Sequence, residues 1–152
     1  MPPDLWSFAL RLYARPGVEH ACLQLQSNGA DVCLLLCACW LQRSAHAYSA
    51  QRCAQLQSLA QPWQQQVVTP LRQLRQNWRA AAQQQPELAS LREQLKVLEQ
   101  QAERQLLEQL EACALAWPAL TSAENGDWLS QLSAGASPLD ALQRLRVEAN
   151  QA

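Results

Sequence analysis

Val32–Leu41 reads VCLLLCACWL, a run without one charged or amide side chain, entered through Asp31. A helix that is apolar on every face is buried on every face. The rest of the chain must therefore supply walls on all sides of it. The run is also half of what a bilayer demands, since a span needs about 20 apolar residues. It is read as the enclosed central helix of a small domain, over residues 31–43, and no membrane span is expected.

The material for the walls is helical. The chain has 152 residues, enough for one domain with a real core, since a chain of that size buries roughly 70% of its unfolded surface. Charged residues make up 16%, against about 25% in typical domains. Glutamine, present 23 times, and alanine fill the gap, and both favour helices. One phenylalanine, four glycines and few β-branched residues leave little from which to build strands. The expected fold is all-α: a single domain over residues 1–152, a bundle of about six to eight helices, with residues 1–3 and 148–152 frayed.

In chain order, Asp4 is a candidate N-cap for a first helix whose stripe is Leu5, Phe8, Ala9 and Leu12. Pro16 reads as a first-turn residue of a second helix carrying Val18, Cys22 and Leu25, closed by Asn28-Gly29. Asp31 caps the central helix, and residues 44–49 connect it to a fourth with Cys53, Leu56, Leu59 and Ala60 inward. Pro62 is read as opening a further helix with Trp63, Val67, Leu71, Leu74 and Trp78 on one face. Pro70 within it predicts a kink or break near Gln66. The longest helix spans about residues 87–117, with Leu88, Leu91, Leu95, Leu98 and Ala102 in heptad rhythm before the pattern drifts, which suits a straight helix in a bundle. Two short helices follow, one with Trp128, Leu129 and Leu132, the other docking through Leu139, Leu142 and Leu145. The core is assigned to Leu34, Leu35, Leu36, Trp40, Trp63, Leu71, Leu74, Trp78, Leu91, Leu95 and Leu98.

The segments Phe8-Ala9-Leu10, residues 13–18 (YARPGV), residues 22–26 (CLQLQ), Asp31-Val32 with Leu34-Leu35-Leu36, and Trp40-Leu41 resemble an uncharacterised conserved family of short proteobacterial proteins. Pro70-Leu71-Arg72 and Leu74-Arg75 resemble the same family, whose pattern carries asparagine where this chain has Cys33. The resemblance implies a bacterial cytosolic setting and brings no activity with it.

Chemistry-bearing patterns are sparse. Cys33, Cys37 and Cys39 form C-x3-C-x-C, but on a helix Cys39 points about 160° away from Cys37. His20 and His46 add no zinc spacing, so the six cysteines read as packing thiols and no metal site is assigned. The segment after Met1 has no basic n-region or apolar h-region, which favours a reducing, cytoplasmic location. No nucleophile elbow, H-E-x-x-H or phosphate loop is present, so no catalytic residue and no cofactor is assigned. A net charge of −1 argues against nucleic acid as partner.

Two surfaces remain. Arg72, Arg75 and Arg79 form a basic stripe that, with Arg11 and Arg15, would make an anion- or partner-binding surface; alternatively these arginines pair with glutamates of the long helix. Trp128, late and on a short helix, is the aromatic expected at an exposed or partner-covered site. The leading functional reading is a non-enzymatic interaction protein binding a protein partner between the amino-terminal helices and the Arg72–Arg79 face. The alternative is a domain that binds, or acts on, an amphiphilic anion such as a lipid or isoprenoid phosphate in an inter-helix pocket.

Overall fold

The computed structural model describes residues 3–120, 122, 124–133, 135 and 137–152, and these fold as an all-α bundle. The elements are α1 (Leu5–Tyr13), α2 (Val18–Ser27), α3 (Val32–Arg43), α4 (Ala50–Trp63), a π-helical turn (Gln64–Val68), α5 (Thr69–Asn77), α6 (Arg79–Ala82), α7 (Pro86–Leu115), α8 (Trp128–Leu132) and α9 (Leu139–Ala149). Met1 and Pro2, expected to fray, lie outside the described residues. The opposite end departs from expectation: α9 runs to Ala149, and Glu148 and Ala149 are buried against the fold.

The central helix is α3, and every residue from Cys33 to Leu41 is buried. Helices α1, α2, α4, α7, α8 and α9 all pack on it, which is the enclosure its composition requires. Local signals set its ends. Asn28, Gly29 and Ala30 close α2 as a Schellman motif, with Ala30 N–H donating to Leu25 O at 3.0 Å and Gly29 N–H to Gln26 O at 3.0 Å. Gly29 holds φ 95° there, a conformation that suits glycine. Asp31 then caps α3, its Oδ1 accepting Leu34 N–H. The far end repeats the motif: His46 N–H donates to Leu41 O, but Ala45 takes the left-handed position at φ 57°. At the second helix, Gly17 rather than Pro16 occupies the cap, at φ 77°.

Tryptophan indoles tie distant segments together. Trp40 Nε1 donates to Pro3 O at 2.9 Å, Trp63 Nε1 to Ala102 O at 2.8 Å, and Trp117 Nε1 to Gln55 Oε1 at 2.7 Å. Trp128 corrects the sequence reading: it is 1% exposed, stacks on Trp117 with ring centroids 5.7 Å apart, and donates to His46 O at 2.9 Å. Its helix is short, but Asp127 caps it and Arg146 fixes that cap from α9, so the indole is pressed into the core.

Pro62 does not start a helix but lies inside α4, and the backbone runs on helically from Ala50 to Asn77. The disturbance expected near Gln66 from Pro70 takes the form of the π-helical turn. Pro70 offers no N–H to Gln66 and its ring crowds that carbonyl; the wider turn absorbs both without breaking the helix. Helix α7 contains 30 residues, about 45 Å at 1.5 Å per residue. It reaches the central core through its carboxy-terminal part, by Leu106, Leu107, Leu110 and Ala114, while Leu95 is buried outside that cluster. The first half pairs with α5 and α6, which bury no residue.

Several core assignments fail for that reason. Leu34, Leu35, Leu36, Trp40 and Leu95 are buried, and Trp63, Leu71 and Trp78 are half-buried. Leu74, Leu91 and Leu98 are exposed, the last two at 51%. Their spacing is helical, yet the hairpin of α5, α6 and early α7 has a neighbour on one side alone. Leu59 and Leu139 are exposed as well, each lying beyond the edge of the face its helix buries.

Candidate functional site

A furrow opens between α1, α2 and α3 on one side and the π turn, α5 and α7 on the other. Its first chamber encloses about 240 Å³. Trp6, Tyr13, Val32 and Leu36 line it, and Leu10 and Leu23 stand on its rim, 48% and 51% exposed. Those two leucines lie off the buried stripes of their helices, Leu5-Phe8-Ala9-Leu12 and Val18-Ala21-Cys22-Leu25. A second, more open chamber of about 610 Å³ continues from the first through Gln26, Val32, Gln64 and Arg72, which both chambers share.

The charged end of the first chamber is closed on itself. Arg75 grips Glu99 with Nε at 2.5 Å from Oε1 and a terminal nitrogen at 3.2 Å from Oε2. Arg72 reaches Glu99 at 3.3 Å and Glu103 at 3.4 Å. Glu99 is 6% exposed. Two guanidiniums thus meet two carboxylates, and the basic stripe is an internal pairing with the long helix at these positions. The hydrogen bond from Arg75 to Glu99 raises the arginine further above its usual range. Burial and the neighbouring Glu99 push Glu103 upward, while Arg72 opposes them. Burial also lifts Tyr13 to about 12, so its hydroxyl keeps its proton.

The other predicted site arginines are dispersed. Arg15 pairs with Glu148 of α9 at 2.8 Å. Arg11 and Arg79 are exposed, and neither lines the furrow or joins an ion pair among the described residues. The five arginines therefore do not form one surface: Arg11 on α1 and Arg79 on α6 lie outside the furrow, and Arg15, beyond the end of α1, is held by Glu148.

At the junction of the chambers, Asp31 accepts Leu34 N–H and, at 2.8 Å, Gln64 Nε2. Burial raises its carboxyl to about 6, with the hydrogen bonds from Leu34, Cys33 and Gln64 and the Arg72 charge pulling the other way. The thiols are set for packing: burial holds Cys22 and Cys39 at about 12 and Cys33 well above its usual range. Among the described residues, no group of three or more His, Cys, Asp or Glu side chains could hold a metal ion, and no helix is long and apolar enough to cross a membrane.

Fold and furrow together define a small all-helical domain with an open, two-chambered inter-helix groove. The chain belongs to the family described as protein of unknown function (DUF2390), which it matches over residues 4–110. That span holds every residue of the furrow except Leu132 and Ser133. Comparison with curated proteins and with solved structures gives no significant match.

Sequence reasoning named Arg72 and Arg75 but missed Leu10, Leu23, Gln64 and their grouping. The off-stripe positions of the two leucines are the signal that could have found them.

Proposed function

We propose that this protein is a non-enzymatic helical interaction protein that receives an apolar part of a protein partner in the furrow beside Leu10 and Leu23. The observation that supports this most is the pairing of exposed rim leucines with an apolar chamber lined by Trp6, Tyr13 and Leu36. Large aromatics and aliphatics around a pre-formed recess are what an anchor side chain needs. The amphiphilic-anion alternative is less well supported. Arg72 and Arg75 already satisfy Glu99 and Glu103, so an anion would have to compete with the buried carboxylate of Glu99 and the half-buried one of Glu103. A bacterial cytosolic setting belongs to the same proposal, supported by six unpaired cysteines used for packing.

The test compares the tagged wild type with the double variant Leu10→Asp, Leu23→Asp, both expressed at native level in the host. Both substitutions are on exposed positions, so the melting temperature should hold. A protein recovered in stoichiometric amount with the wild type and lost with the variant is the expected result. Identical recovery with both would overturn the proposal.

A further inference from the structure

The second chamber differs in kind from the first. Gln57, Gln61 and Gln65 stand at four-residue steps along α4 and the π turn and line one wall. The turn brings Gln64 to the same wall beside Gln65. Across the gap are Gln26, Ser133 and the α2–α3 corner, where Gly29 has open space in place of a side chain. Asp31 and Arg72, of opposite sign, are the charged groups of this lining.

Each carboxamide offers two donors and an acceptor, the complement of a peptide unit. Steps of four residues on a helix advance roughly 6 Å, and alternate residues of an extended chain repeat at roughly 6.6–6.8 Å. A row of three glutamines can therefore address successive same-side peptide groups of an extended segment, falling behind by roughly 0.6–0.8 Å per step, which the long glutamine side chains can take up. A helical partner has its own backbone groups already paired and would leave these amides unused. A sugar would be expected to find an aromatic face, and this chamber has none among its lining residues.

We infer that the furrow binds an extended, uncharged peptide segment of the partner, one apolar side chain entering beside Leu10 and Leu23 and the main chain running along Gln57, Gln61 and Gln65. This rests on the proposed interaction function and names the partner's conformation and chemistry. In physical terms it is main-chain recognition of an extended peptide, with side-chain amides in place of a sheet edge.

The experiment selects a random peptide display library on the full immobilised chain, with counter-selection against Leu10→Asp, Leu23→Asp. Selected peptides are then synthesised and titrated by fluorescence anisotropy. The expected peptides carry a bulky apolar residue next to an uncharged stretch. The triple variant Gln57→Ala, Gln61→Ala, Gln65→Ala should weaken them about tenfold or more at unchanged melting temperature. N-methylation of alternate main-chain amides in the peptide should abolish binding. Peptides that become helical on binding and ignore the glutamine variant would overturn this inference and leave the interaction function standing. Failure to select any peptide that separates wild type from Leu10→Asp, Leu23→Asp would overturn both.

Discussion

Glu99 is a nearly enclosed carboxylate, and its charge is held by two arginines from a neighbouring helix. Arg75 contributes contacts at 2.5 and 3.2 Å and Arg72 one at 3.3 Å. Replacing both arginines by alanine strands that charge. Breaking a fully buried pair costs about 3–5 kcal/mol. Here the arginine side chains keep 17% and 25% of their exposure, which lets water reach the site, so the lower end, about 3 kcal/mol, is expected. For a domain of this size, each kcal/mol moves the melting temperature by about 2–4 °C, giving a drop of about 6–12 °C. Urea denaturation followed by far-UV circular dichroism measures it directly. Arg79→Ala, on exposed α6, is the control and should stay within about 0.5 kcal/mol of wild type. Adding Glu99→Leu to the double variant should recover most of the loss, since an apolar group of similar volume removes the stranded charge. A double variant within about 1 kcal/mol of wild type would refute the reasoning, showing that these ions are solvated. The arginines would then be available to an anionic ligand after all.

Three further outcomes follow from named contacts. Asp31 has its carboxyl raised from 3.8 to about 6, so its contribution to stability is present at low pH and fades as pH rises through about 6. Asp31→Asn keeps the capping oxygen without the charge, and its denaturation free energy should fall less than wild type's between acid and neutral pH, by up to about 3 kcal/mol. Along α7, Leu95→Ala should cost about 2–3 kcal/mol, while Leu91→Ala and Leu98→Ala should each cost under about 1 kcal/mol by thermal melting. Ala45→Gly should stabilise the fold by roughly 0.5–1 kcal/mol in the same assay, because it relieves an alanine held at φ 57°.

Helix-end chemistry was legible residue by residue. Asp4 and Asp31 cap the helices their positions implied, and Asn28-Gly29 closes α2. These signals act over three or four residues, within the reach of one side chain. The disturbance near Gln66 was legible for the same reason, but its form as a π turn was not. The candidate site was less readable. Arg72 and Arg75 stood out as charges, whereas their pairing with Glu99 and Glu103 depends on how α5 lies along α7.

The sequence by itself determined that the chain is helical and that Val32–Leu41 must lie at its centre, since a run with no polar face has nowhere else to go. Periodicity could not say how far each apolar stripe would be covered. Leu91, Leu95 and Leu98 share one helix and one rhythm, yet Leu95 is buried and the other two face solvent. Trp128 reverses the case, enclosed by a stack with Trp117 and a bond to His46 that its own helix does not foretell. Burial depends on neighbours distant in sequence, and only the tertiary packing decided which glutamines, leucines and arginines would share a furrow.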